Sequence, residues 1–285
     1  MQLRGRLKKK LAATLPALQL QKVYSAFDLV GDIAIVKIAP DNQQAAEAIA
    51  HQIMLTHKGV KTVLSPTSAV GGEHRVRTLQ VLAGENRTVA KHREAGCVFS
   101  VDVEKCYFSP RLSGERLRIA RLVVPSEIVV NMFAGVGCFS VIITKRVPSA
   151  KVYSIDINPD AYAYMVKNVE LNNVAGGVTT FLGDAKAVIE TQFVGVADRV
   201  LMPLPEKALE NLPAALVALK KGGGWIHYHD FVHADPSEKP QELTKRKVAV
   251  TLDGLGVKYH FAFSRVVRST GPHWYQTVLD INVQR

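Results

Sequence analysis

Apolar and polar positions along this chain follow two different periods, and the texture changes near residue 116. From Tyr24 to Ile38 the pattern is strand-like, with a polar break at Gly31-Asp32 before the run IAIVKI. Residues 41–57 place Ala45, Ala48, Ile49, Ile53 and Leu55 on one stripe at helical spacing. Val60 to Leu64 predicts a strand. After the polar stretch Ser65 to Arg77, two further strands are predicted near Gln80–Leu82 and Val98–Val103. Residues 1–20 carry Arg4, Arg6, Lys8, Lys9 and Lys10 among leucines, which predicts a basic amphipathic helix ending near Pro16. Short strands with one or two helices make a small α+β domain over residues 1–110.

Beyond it, strand and helix patterns alternate. RLRIARLV predicts a helix, IVVNMF a strand, AGVGCF a glycine turn and SVIITKR a helix. KVYSIDI and PDAYAYMVKNVELNNV repeat the strand–helix pair, then VTTFLGDA and KAVIETQ, then DRVLMPLP and EKALENLPAALVALKKGG with a glycine stop. GWIHYHDF is a fifth strand. The terminal YQTVLDINV alternates with period two and is read as an antiparallel edge strand. Such alternation predicts a doubly wound, mostly parallel α/β sheet, a Rossmann-like domain over residues 111–285.

Charge narrows the partners. With 36 Lys+Arg against 25 Asp+Glu the chain carries +11 at neutral pH, which favours a polyanion, nucleic acid before membrane. The longest uncharged stretch, Ile128 to Thr144, is shorter than a membrane span and is interrupted by Asn131 and two glycines, so no membrane partner is expected. Cys97, Cys106 and Cys138 have no CxxC spacing, which argues against a disulfide framework or structural zinc and for a reducing, cytoplasmic setting. His227 and His229 share one strand face, as a metal pair would, but no third ligand has diagnostic spacing, so no metal is expected.

The segment Asn131-Met-Phe-Ala-Gly-Val-Gly-Cys-Phe139 is a strand, a glycine turn and a helix start. Gly135 and Gly137 let the backbone approach a ligand, but the third glycine of a dinucleotide fingerprint is missing. The following strands end in acids. Asp156 is placed to accept hydrogen bonds from both ribose hydroxyls of a nucleoside, and Asp184 from an adenine amino group. A nucleoside cofactor without a phosphate loop is most simply S-adenosylmethionine.

NMFAGVGCF, YSIDINPDAY, FLGDAK and VLMPLPEKALENLPAAL, with FDLVGDIAIVKI, GGEHRVRTLQVLAGENRT and VDVEKCYFSPRLSGER upstream, resemble the tRNA (guanine37-N1)-methyltransferases of archaeal and eukaryotic type, the Trm-five group. The resemblance covers roughly residues 20–285. It implies a class I methyltransferase domain preceded by a small α+β RNA-binding domain. The family usually carries a further N-terminal domain, and the chain is expected to start after it. The implied reaction removes the proton from guanine N1 and stabilises charge on O6, roles that fall on Glu115 in SPRLSGER and Arg75 in HRVR. Tyr107 and Phe133, with Ile157 and Ala185 beside the two acids, become cofactor contacts. Arg111, Arg116 and Pro203 become substrate contacts, and Arg77, Arg87 and Arg118 further phosphate holders. Pro203 departs from the family, which usually has asparagine there. Its side chain neither donates nor accepts, leaving the carbonyls of Met202 and Pro203 as acceptors. The partner is tRNA and the enzyme is expected to be a monomer. Two alternatives stay open: aminocarboxypropyl transfer from the same cofactor to a wybutosine precursor, and a catalytically silent RNA-binding module.

Overall fold

The computed structural model describes residues 6–284, in two compact units, Met1–Arg111 and Leu112–Arg285. Arg4 lies outside the described residues.

In the N-terminal unit, α1 (Arg6–Leu11) and α2 (Ala17–Gln21) replace the single predicted helix, with Pro16 at the N-cap of α2. Proline has no N–H to continue a helix, so the chain restarts there. Strands β1 (Phe27–Val30) and β2 (Ile33–Val36) form a hairpin across Gly31, whose φ of +58° suits glycine. The helical pattern of residues 41–57 is half correct: Pro40–Ala45 is a 3₁₀ segment, and α3 (Ala46–Thr56) follows. Strands β3 (Thr62–Pro66) and β4 (Leu79–Gly84) complete a sheet of order β1-β2-β3-β4. Its core joins Leu7 and Leu11 of α1 to Ile49 and Ile53 of α3. Strand β5 (Val89–Glu94), unpredicted because VAKHRE is mostly polar, pairs with β6 (Cys97–Asp102) through Ala95 and Gly96, both at positive φ.

The C-terminal unit follows in order as α4 (Ser113–Leu122), β7 (Ile128–Asn131), α5 (Cys138–Arg146), β8 (Lys151–Asp156), α6 (Pro159–Leu171), β9 (Val178–Leu182), α7 (Ala185–Gln192) and β10 (Arg199–Met202). Next come α8 (Pro205–Ala208), α9 (Leu212–Ala218), β11 (Gly224–His233), α10 (Pro240–Gly254), β12 (Lys258–Gly271) and β13 (Trp274–Gln284). The one helix expected over EKALENLPAALVALKKGG is two, with Pro213 in the first turn of α9. The sheet order is β12-β13-β11-β10-β7-β8-β9, parallel from β9 to β11. Strand β13 is antiparallel as expected but lies inside the sheet, flanked by β11 and β12. The edge on that side is β12, whose segment carries no sequence prediction. The central parallel strands β7 and β10 are buried along nearly their whole length, as helices on both sides require, whereas β9 at the sheet's edge is mostly unburied; α5 is buried from Cys138 to Thr144. Strand order reverses between β7 and β10, which puts the crevice for a ligand at their carboxyl ends.

Candidate functional site

Several predicted cofactor residues meet at that crevice. Gly135 (φ +57°) and Gly137 (φ +87°) turn the chain from β7 into α5. The turn is tied to β8: the Ala134 N–H donates to the Ile155 carbonyl at 2.8 Å and the Gly135 N–H to Asp156 Oδ2 at 2.6 Å. The other Asp156 oxygen accepts from the Asn158 N–H at 2.9 Å, and its carbonyl accepts from the Gly183 N–H at 3.0 Å. Asp156 thus fastens the ends of β7, β8 and β9 together. Asn158 caps α6 and holds the strand end still. Phe133 packs against the main core, Ile157 is exposed and Ala185 is buried. Asp184 is a helix cap: it accepts from the Ala187 N–H at 2.9 Å, so one oxygen is committed to α7 rather than held for an adenine amino group. Pro203 follows β10 directly, and the neighbouring Met132 N–H donates to the Leu201 carbonyl at 3.0 Å. The glycine turn, the acid at the end of β8 and the switch point fit an adenosine-bearing cofactor.

Glu115 has surroundings the sequence reading did not foresee. Its side chain is buried on α4 between two arginines, at 2.6 Å from both Arg118 and Arg265. Burial alone would raise its carboxyl; hydrogen bonds from Arg118 and Arg265 and nearby positive charge outweigh burial and hold it below the usual carboxylate range. Arg118 bridges onward to Asp280 at 2.6 and 2.9 Å. Asp280 accepts from His227 Nδ1 at 2.6 Å, and His227 Nε2 receives a hydrogen bond from Arg199 at 2.6 Å. Arg199 closes the series on Glu127. Accepting from a guanidinium at Nε2 leaves His227 neutral with its proton on Nδ1, in keeping with a ring whose pKa burial lowers. His229, also buried, has Nδ1 without a hydrogen-bond partner among the described residues, and burial lowers its pKa to about 4. So the two histidines do share a face, but His227 is occupied on both nitrogens.

Several expected phosphate contacts are already engaged. Arg111 donates to Asp28 at 2.6 Å, Arg87 to Asp32 and Glu85, and Arg118 to two buried acids. Arg116 is buried on α4, so it is not the exposed phosphate contact expected. Arg116 is thus interior and Arg118 is held by buried acids, whereas Arg111 and Arg87 keep part of their surface beside their acid partners. Arg75 and Tyr107, like Arg111, belong to the N-terminal unit. Arg75 sits at φ +55° in a turn closed by its N–H to the Gly72 carbonyl at 3.3 Å, and Tyr107 is partly exposed. Arg118, at i+3 from Glu115, was visible as its helix partner. Asp280 and Arg265 carried no signal, because their link to Glu115 spans about half the chain.

Residues 90–252 match the TRM5/TYW2 methyltransferase domain family and residues 7–88 the TYW2 N-terminal domain family. The tRNA (guanine(37)-N(1))-methyltransferase Trm5b of Pyrococcus abyssi is 38% identical over 91% of this chain and 75% of its own length. The tRNA 4-demethylwyosine(37)-methyltransferase Taw21 of Saccharolobus solfataricus is 38% identical over 92% of this chain and 95% of its own length. The crystal structure of wild-type Trm5b from Pyrococcus abyssi superposes with a TM-score of 0.84 at 36% identity, covering 95% of this chain and 79% of that one.

Proposed function

Since the chain belongs to the TRM5/TYW2 methyltransferase family, we propose that it transfers the methyl group of S-adenosylmethionine to N1 of guanosine 37 in the tRNA anticodon loop. The observation that carries this is the buried Glu115 carboxylate, held ionised on α4 in the same unit as the glycine turn and Asp156. When bound, the cofactor supplies an electrophilic methyl on sulfur. The turn at Gly135 and the Asp156 carboxylate hold its nucleoside, with Ala185 and Phe133 beside them. Guanine N1 bears a proton and is a poor nucleophile until that proton leaves. Glu115 accepts it, and Arg75 is assigned to the charge that develops on O6. In its paired state Glu115 is a weak base. Arg265 is the more exposed of its partners, and its Nε is buried without a hydrogen-bond partner among the described residues. A base that displaces Arg265 from the carboxylate raises the basicity of Glu115 where it is needed. The reading takes the enzyme as a monomer, and its free cysteines suit a cytoplasmic setting.

A second reading is methylation of 4-demethylwyosine at position 37. Pro203 favours it: a proline after β10 offers no side-chain hydrogen bond to a guanine edge, and the similar Saccharolobus protein matches this chain along nearly its whole length. Nucleoside mass spectrometry separates the readings on two tRNA substrates, one with guanosine and one with 4-demethylwyosine at position 37. One added methyl on the guanosine substrate supports the first, and on the other substrate alone the second. A larger added arm, or no product on either, overturns both.

A further inference from the structure

Glu115 belongs to a buried series of charged groups, and the distribution of charge along it decides how strong a base the carboxylate can be. Arg118, one turn on along α4, meets two carboxylates at once. Its Nε lies 3.1 Å from both Glu115 oxygens and its Nη2 2.6 Å from Oε1. The same guanidinium donates to Asp280 from Nη1 at 2.6 Å and from Nη2 at 2.9 Å. It also lies 4.5 Å from the centre of the Phe263 ring. Asp280 is on β13, opposite Phe263 of β12 on one side and His227 of β11 on the other. Ring and acid come from neighbouring strands and together fix the plane of the guanidinium.

Asp280 is itself tightly held. It accepts from His227 Nδ1 at 2.6 Å, while Arg199 of β10 occupies His227 Nε2 and is paired with Glu127. Burial alone would raise the Asp280 carboxyl; hydrogen bonds from Arg118 and His227 outweigh burial and hold it well below the usual carboxylate range. The other groups facing Glu115 are Arg265 on β12 and His229 on β11. Burial lowers the His229 pKa to about 4, so this ring is neutral at working pH. Glu115 and Asp280 therefore face Arg118 and Arg265, charge for charge. Arg118 is 20% exposed and bridges both acids; Arg265 is 40% exposed and pairs with Glu115.

When Arg265 leaves, Arg118 must serve both acids, and one negative charge stands uncompensated. A carboxylate with a like charge nearby binds a proton more tightly. We propose that Asp280 is a positioning residue for methyl transfer: it takes up the charge of Arg118, so that Glu115 becomes a competent base as soon as the target base displaces Arg265. The guanine N1 proton then passes to Glu115 Oε2, the oxygen that Arg265 vacates, while Oε1 stays on Arg118. The inference rests on the proposed role of Glu115 and deepens it. Without Asp280, Arg118 would neutralise Glu115 by itself, and departure of Arg265 would free nothing.

Single-turnover methylation of tRNA bearing guanosine 37 by the full chain, followed from about pH 5 to 8, tests this. Asp280→Asn keeps the size and one acceptor for His227 but deletes the charge. Glu115 then loses a nearby like charge. The acid limb should move down by about one pH unit and the plateau rate should fall about three- to tenfold, as a weaker base requires. Asp280→Glu keeps the charge and should restore most of both. A side chain that only supported the fold would lower the amount of active enzyme and leave the limb in place. S-adenosylmethionine affinity, by calorimetry, should stay near wild type in both variants, because β13 stands three places from β7 in the sheet. Where Asp280→Asn does not fold, Arg265→Ala decides in a chain that keeps Asp280. Its acid limb should rise by about one unit, and a limb that Arg118 alone keeps at the wild-type position overturns the inference. An unmoved or raised limb in Asp280→Asn, or one lowered as far in Asp280→Glu, overturns it too and leaves the proposed reaction standing. A normal rate in Glu115→Gln, or no methyl on guanosine 37 with the wild-type chain, overturns both.

Discussion

Glu115 is at once the expected base and the buried anion of two arginines, and the two roles are separable by substitution. Glu115→Gln keeps the shape and one acceptor but cannot take the proton, so the single-turnover rate should fall by about 10²–10⁴ with cofactor affinity near wild type. A normal rate would remove Glu115 from the chemistry. Arg265→Ala deletes one of the hydrogen bonds that lower the Glu115 pKa, so that pKa rises. Because the base must be ionised to act, the acid limb of the pH–rate profile should move to higher pH; a stationary limb would show that Arg265 does not touch the working carboxylate. His229 gives a stability readout. An unfolded histidine takes its proton near pH 6.5, whereas burial delays this one to about 4 in the folded protein. Between those values the unfolded chain binds more protons, so the group's contribution, intact above pH 6.5, is lost as pH falls, by about 3 kcal/mol in all. Denaturant titrations of His229→Gln should show a shallower loss over that interval than wild type.

The elements themselves were mostly legible from period and punctuation. The strands IVVN and RVLM have one polar residue each and are almost wholly buried, a pattern that suits a sheet covered on both faces, and the glycine turn and Asn158-Pro159 mark where helices start. The missed strands were those whose pattern is set by pairing. β5 reads as polar surface, and β12 alternates weakly because it is an edge. The position of β13 was misread for the same reason: period two shows that a strand is antiparallel and two-faced, not which neighbours it has. Closure of β13 depends on a close backbone approach. At Gly223, with φ +89°, an added Cβ would lie 2.0 Å from the Val283 carbonyl oxygen, at the end of β13. Gly223→Ala should therefore cost at least about 2 kcal/mol in thermal or denaturant unfolding. The adjacent Gly222→Ala meets nothing within 4 Å and should stay within about 0.5 kcal/mol. Equal effects would mean that the β11–β13 junction tolerates a displaced backbone.

Across the whole molecule, the surplus of +11 is a property of composition, but which cations face RNA is not. Arg87, Arg111, Arg118 and Arg199 are held by acids far away in sequence. The lysines of α1 differ: Lys9 and Lys10 are exposed, while Leu7 and Leu11 of the same helix are buried in the N-terminal core. Deleting the helix would damage that core, so its charge is better tested by substitution. Lys8, Lys9 and Lys10 all changed to Gln should flatten the slope of log affinity for tRNA against log salt by about 2 units if each meets a phosphate. An unchanged slope would make the helix a solvated face. The local chemistry of the chain was written in short segments: a glycine turn after an apolar strand, acids at strand ends, a carboxylate in the first turn of a helix. Neighbouring residues alone set those features, so one sequence suffices to read them. What surrounds Glu115 and which arginines are held by acids were decided by tertiary structure. Each depends on residues brought together from distant elements, and a charge has no fixed role until its partners and its burial are known.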